Sequence, residues 1–210
     1  MLTCFKRFAD GVAAGVLVSI GGCVFLACES KPLGAVLFSV ALLCICYKSY
    51  SLYTGKVGYI VHSHGKSDFS VLFLGLLGNF VGAVFSAAVV LLAGLDKVFA
   101  NAPAAVAAAK LAQQPWETLL RAFLCGILMY LAVSIFKDGK SPLGVLFCIP
   151  VFILSGFEHS IADMFYLSVG ATASADYILR ALLFALLAVI GNSLGAIFIA
   201  LFDKLKKGAA

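Results

Sequence analysis

Pro32-Leu33-Gly34-Ala35-Val36-Leu37-Phe38 returns as Pro142-Leu143-Gly144-Val145-Leu146-Phe147, and Gly78-Asn79-Phe80-Val81-Gly82-Ala83-Val84-Phe85 returns as Gly191-Asn192-Ser193-Leu194-Gly195-Ala196-Ile197-Phe198. The first pair lies 110 residues apart and the second 113, so one duplication accounts for both. Chance is the competing explanation, because small residues at four-residue spacing recur wherever helices pack closely. Two motifs of this length at nearly one offset argue against it. The duplicated material is apolar. Six stretches stand between polar breaks, at about 8–28, 32–61, 69–95, 117–137, 142–169 and 176–203, against the roughly 20 residues that one bilayer crossing requires. Three fall in each copy, repeat 1 over about 8–95 and repeat 2 over about 117–203. An odd number of crossings per copy sets the second copy into the membrane upside down. Inverted repeats of this kind place a substrate path at their interface, near the bilayer midplane.

Composition agrees. Of 210 residues 63% are hydrophobic and 12% charged, with mean hydropathy +1.09, whereas a soluble domain carries roughly 25% charged residues. The expectation is an all-α integral membrane protein with the lipid bilayer as its main partner, residues 1–210 forming one transmembrane channel domain. Met1 to Ala9 runs into the first span without a small-residue cleavage site, so no cleavable signal peptide is expected. Residues 96–116, Ala-rich and holding Pro103, Lys110 and Pro115, read as a short surface helix or ordered loop. The net charge of +5 is spread over membrane flanks and does not point to nucleic acid. Of the seven cysteines most lie in apolar runs, and no Cys-x-x-Cys pair or Cys/His spacing suggests a metal site. No cofactor is expected.

Six spans put both termini on one side. With that side cytoplasmic, nine basic residues flank the inside (Lys6, Arg7, Lys56, Lys66, Lys137, Lys140, Lys204, Lys206 and Lys207) and five the outside (Lys31, Lys97, Lys110, Arg121 and Arg180). That balance follows the positive-inside rule and sets both termini in the cytoplasm; the expected setting is a bacterial inner (plasma) membrane.

Two spans are interrupted. Tyr47-Lys48-Ser49-Tyr50-Ser51-Leu52-Tyr53-Thr54-Gly55-Lys56 breaks the second, and Ser155-Gly156-Phe157-Glu158-His159-Ser160 breaks the fifth, at equivalent places in the two repeats. A broken helix in lipid exposes amides and carbonyls that protein or a wet cavity must satisfy, and half-helix N-termini suit anions. Glu158 and His159 are an intramembrane polar pair, a position costly enough to imply function. Glu158 reads as a cap for exposed amides and His159 as a pore residue. Two segments are candidates for gating: Met1–Asp10 and the loop His62-Ser63-His64-Gly65-Lys66.

The string Ser155-Gly156-Phe157-Glu158-His159-Ser160-Ile161-Ala162-Asp163-Met164-Phe165 resembles the signature of the formate–nitrite transporter family, which also includes hydrosulfide channels. Leu52-Tyr53-Thr54-Gly55, Gly191-Asn192 and Lys110 extend the resemblance over essentially the whole chain. It implies an aquaporin-like six-helix protomer, a homopentamer, and one path per protomer for small monovalent anions (hydrosulfide, formate, nitrite) and protons. Carried over by position, His159 is the central pore histidine, Thr54 sits on the loop of the broken second helix with Gly55 and Lys56 beside it, and Asn192 lines the pore. Phe38 and Leu42 form the cytoplasmic-side constriction and Phe152 the outer one. Lys110 is the vestibule lysine that draws anions in, and Glu158 supports the loop.

The physics suits those roles. A bare anion in an apolar ring costs several kcal/mol or more, a neutral acid much less. A basic vestibule concentrates anions, and apolar rings block hydrated ions by dewetting. The expected mechanism is attraction by Lys110 and passage past His159 as a transiently protonated or strongly hydrogen-bonded species. Departures from the family pattern bear on substrate: Ser51 replaces an acidic residue, Tyr130 stands where an asparagine is expected on the path, Lys56 and Gly58 are added, and Asp163 replaces the usual asparagine. They leave hydrosulfide and the formate/nitrite pair as alternative substrates. An enzyme built on Glu158 and His159 would need further convergent polar groups, which the spans lack, so no enzymatic activity is expected. The alternative is an aquaporin-like channel for small neutral solutes, disfavoured because Asn101-Ala102-Pro103 is in the wrong order and outside the spans.

Overall fold

The computed structural model describes residues 2–172 and 174–208. Met1, where the first gating segment begins, lies outside them, as does the side chain of Lys207. The elements are α1 (Leu2–Ala27), α2 (Lys31–Lys48), the single turn α3 (Tyr53–Lys56) running into a 3-10 turn (Val57–Val61), α4 (Lys66–Leu92), α5 (Pro103–Leu111), α6 (Pro115–Gly139), α7 (Leu143–Leu154), α8 (Ser160–Val169) and α9 (Ala175–Gly208), with a further 3-10 turn at Leu95–Lys97. No strand occurs among the described residues.

Five helices, α1, α2, α4, α6 and α9, are each long and apolar enough to cross a membrane. The stretch 142–169, expected as one broken span, is two shorter apolar helices, α7 and α8. Large side chains such as Phe73, Phe85, Phe147, Leu182 and Phe202 stand exposed on the outside, as they would toward lipid.

Two close helix pairs form the frame, α1 with α4 and α6 with α9. Glycine makes both contacts possible. A Cβ on Gly15 would run into the Asn79 carbonyl, and one on Gly126 into the Asn192 carbonyl. Gly78 and Gly82 meet the α1 backbone in the same way that Gly191 and Gly195 meet that of α6. Gly78 touches Phe8 and Gly82 touches Val12, while Gly191 touches Leu119 and Gly195 touches Phe123, so each pair runs parallel. The two Gly-Asn motifs of the sequence therefore lie at the two helix crossings, and the close approach explains why small residues recur there.

The breaks also share a geometry. Ser49 adopts a left-handed conformation at φ 58° and Gly156 at φ 68°. The amide of Tyr50 then reaches back to the Ile45 carbonyl at 3.1 Å, and that of Phe157 to the Phe152 carbonyl at 3.0 Å. This closes the last turn of α2 and of α7 in the Schellman manner. Glycine occupies that conformation freely, whereas serine pays about 1 kcal/mol for it.

Candidate functional site: the junction of the two breaks

Past each left-handed residue three residues lie outside any helix, which leaves main-chain polar groups without helix partners. One asparagine on each facing helix satisfies them. Asn79 Oδ1 accepts from the Tyr53 amide at 2.9 Å, and its Nδ2 donates to the carbonyls of Ser51 and Gly11 at 2.9 and 2.8 Å. Asn192 Oδ1 accepts from the Ser160 amide at 2.9 Å, and its Nδ2 donates to the carbonyls of Glu158 and Ala122, both at 2.8 Å. Both side chains are fully buried. Asn192, expected as a pore-lining residue, thus has its amide engaged with the main chain and acts as a latch. Asn79 was missed, although Gly78-Asn79 stands in the repeat opposite Gly191-Asn192 and carried the signal.

The latches bring the two breaks together. Thr54, in α3, and His159, the residue before α8, are both buried, and Thr54 Oγ1 lies 2.8 Å from His159 Nε2. His159 Nδ1 accepts the Ala162 amide at 3.2 Å and caps α8. An imidazole nitrogen that accepts an N–H carries no proton, so the proton of the neutral ring is on Nε2, which donates to Thr54. Charging the ring would remove the cap acceptor and set a cation at the positive end of a helix. The geometry therefore holds His159 neutral, as a donor.

Phe152 stacks on the His159 ring, with centroids 5.6 Å apart, and meets Phe38 edge-on at 6.4 Å. Phe38 was expected beside Leu42 at the cytoplasmic-side constriction. It instead lines the same cavity as Phe152, one turn of α2 away from Leu42. Leu42 lines the opposite cavity together with Leu52, which is 2% exposed.

Two cavities meet this junction from opposite faces. The smaller, about 110 Å³, is lined by Phe38, Phe152, His159, Glu158, Asp163 and Lys110, among others. Lys110 comes from α5, the short helix expected between the halves. Its ammonium binds Glu158 Oε2 and lies 2.8 Å from Asp163 Oδ1, and Gln113 Nε2 donates to Glu158 Oε1 at 2.6 Å. Burial opposes the charge on Lys110, but Asp163 and Glu158 outweigh it and hold the ammonium above its ordinary value. Lys110 is thus a paired cation facing two carboxylates, not an isolated one.

The larger cavity, about 280 Å³, is lined by Leu42, Leu52, Gly55, Lys56, Lys137 and Lys140, among others. Lys56 donates to Ser51 Oγ at 3.2 Å and Lys137 sits 3.5 Å over the Tyr59 ring. Among the described residues none of these three lysines has a carboxylate within 4 Å. Because α6 and α9 run parallel, Lys137 and Lys140 lie at the end of the molecule where α9 finishes.

Tyr130, expected on the path, packs elsewhere. It is 2% exposed in a cluster with Val57, Ala196 and Ala200, held there because Gly58 leaves room for its ring, and its hydroxyl lies 3.4 Å from His62 Nε2. His62 and His64 are exposed. No group of His, Cys, Asp and Glu suited to a metal ion occurs among the described residues.

Comparison with known proteins agrees with the architecture. Residues 1–203 match the Formate/nitrite transporter family. The nitrite transporter NirC of Escherichia coli is 30% identical over 207 residues, covering 91% of this chain and 76% of that protein. The formate channel FocA of Haemophilus influenzae is 26% identical over 193 residues, covering 79% of this chain and 66% of its own length. Among solved structures, an FNT family ion channel superposes with a TM-score of 0.80 at 22% identity, over 97% of this chain and 89% of that one. A pentameric formate channel with formate bound gives 0.76 at 19% identity, over 98% of each chain. These relatives are channels and transporters rather than enzymes. This chain, a multi-pass helical membrane protein, belongs to the formate/nitrite transporter family.

Proposed function

We propose that the chain conducts small monovalent anions, or their weak acids, through a path in each protomer that runs between the two cavities past Thr54 and His159. The single observation that supports this most is the contact of Thr54 with His159, a buried pair of donors where both helix breaks converge between two cavities. A hydroxyl that accepts from His159 Nε2–H has its own proton free to point at an anion. Two apolar pairs flank that point, Phe38 with Phe152 on one side and Leu42 with Leu52 on the other, and would strip a hydrated ion of water. Desolvating a bare anion there is costly, so the species that crosses is hydrogen-bonded or neutralised.

Formate, nitrite and hydrosulfide are the substrates of this reading, the first two carried over from the names of the relatives. Anions collect at the trio Lys56, Lys137 and Lys140, whose unpaired charge raises local anion concentration. Lys110 keeps the opposite mouth organised through Glu158 and Asp163. The setting is a bacterial inner membrane with both termini cytoplasmic, and the assembly a homopentamer like the pentameric formate channel of similar fold.

Proteoliposome uptake of formate, nitrite and hydrosulfide, beside swelling with glycerol and urea, tests the proposal. Anion uptake above empty liposomes with no swelling supports it. Swelling with the uncharged solutes and no anion uptake would establish the neutral-solute channel instead.

A further inference from the structure

So far Asp163 serves only as a partner of Lys110, yet it is the more confined of the two carboxylates there. It is 1% exposed, its Oδ1 is engaged by Lys110, and its Oδ2 is buried with no hydrogen-bond partner among the described residues. Glu158, by contrast, has both oxygens bonded, one by Lys110 and one by Gln113. Two carboxylate oxygens sharing one ammonium nitrogen lie no more than about 5 Å apart, two hydrogen-bond lengths. With both ionised the cluster carries a net negative charge in a buried site, where two close carboxylates resist ionising together. One proton removes that charge, and the only oxygen free to take it is Asp163 Oδ2. Asp163 also lines the cavity of about 110 Å³ that ends at His159.

We infer that Asp163 is a proton-binding site of the anion path: in its acid form Oδ2–H donates a hydrogen bond to a weak-acid anion in this cavity, and in its ionised form the cluster's net negative charge keeps the anion out. This deepens the anion-path reading and rests on it. The carboxylic acid does what His159 does not, because the imidazole is held neutral by its cap to Ala162.

Several groups face Asp163. Lys110 comes from α5, and Glu158 and His159 from the connection before α8. Cys125 comes from α6, Tyr166 lies one turn along α8, and Cys23 of α1 stands near Tyr166. On α9, Tyr177 and Arg180 reach the carbonyls of Leu167 and Leu111 instead, while Asp203 and Lys204 stand at its far end. On α4 the titratable residues, Lys66 and Asp68, lie in the first turn. Lys110 is therefore the one ammonium in the cluster, and it faces two carboxylates.

Asp163→Asn keeps the shape, keeps a donor at the free position and cannot ionise. Uptake of formate into proteoliposomes is compared for the wild type and this variant between about pH 5 and about pH 8, as a ratio so that the anion's own titration cancels. The variant matches wild type at the acid end and exceeds it by about tenfold or more at the alkaline end, where one buried charge is removed. A ratio that stays flat over this range overturns the inference.

A second readout does not need transport. Infrared spectra of the purified wild type are expected to show a protonated carboxyl band at neutral pH. Protein labelled isotopically at the aspartate side-chain carboxyl shifts that band, and protein labelled at glutamate does not. No such band, or one that follows the glutamate label, overturns the assignment to Asp163. If neither protein moves formate, the anion-path reading fails while the infrared band still decides whether Asp163 holds the proton.

Discussion

The first and second helix breaks have the same scaffold and different chemistry. Each follows a left-handed residue, each is latched by one asparagine through two main-chain hydrogen bonds to the break and a third to a neighbouring helix, and each asparagine sits where a glycine lets two helices touch. On that common frame the first break sets Ser51, Leu52 and Thr54, none of them ionisable. The second sets Glu158, His159 and Asp163 at equivalent or neighbouring positions, and α5 brings Lys110 to them. The two breaks share the geometry of their junction. The carboxylates stand in the second half only, with Lys56 of the first break at the position of Asp163, so the two cavities differ: three lysines without a carboxylate partner among the described residues at one, a lysine between two carboxylates at the other.

If the second half depends on its charge cluster, Lys110→Met has the largest effect. It leaves buried carboxylate without its ammonium, at a cost of about 3–5 kcal/mol. The expected outcome in detergent is loss of the folded protein or a large drop in its melting temperature. A variant as stable as wild type would mean that the ammonium does not hold this mouth together.

The equivalence of the latches is tested by Asn79→Ala and Asn192→Ala. Each strands buried main-chain groups, at about 1–3 kcal/mol for each group left unsatisfied. Equal destabilisation of the two variants, measured by chemical or thermal unfolding, is expected. A clear inequality would break the comparison, since it would make one latch dispensable.

Thr54→Val is the finest probe. It is close to isosteric, removes the hydroxyl that accepts from His159, and leaves both latches in place. Anion flux is expected to fall by about tenfold, the worth of one buried hydrogen bond, with the unfolding transition little changed. Unchanged flux would confine Thr54 to packing.

Much of this was legible in the sequence, for identifiable reasons. The Gly-Asn motifs recur because a helix crossing and a latch each need one small residue and one amide, and the offset exposed both halves at once. The polar breaks were visible because lipid tolerates so few polar residues. Three features were not. The side on which Phe38 lies depends on the rotation of α2, which a single position cannot give. The role of Asn192 depends on which main-chain groups the breaks leave open. The pairing of Lys110 with Asp163 joins residues 53 apart in the chain, through a helix whose packing the composition of 96–116 does not reveal. In the sequence Asp163 is only a departure from the family string; its unpartnered oxygen is visible only in the structure.

The most direct test of the central claim is anion flux through His159→Asn in proteoliposomes beside wild type. Asparagine keeps a side-chain acceptor for the first turn of α8 but cannot reach Thr54 as the ring does. The account predicts that formate, nitrite or hydrosulfide crosses with the wild type, and that the folded variant loses about tenfold or more of that flux. Wild-type flux that the variant leaves unchanged would place the path away from His159 and contradict the account.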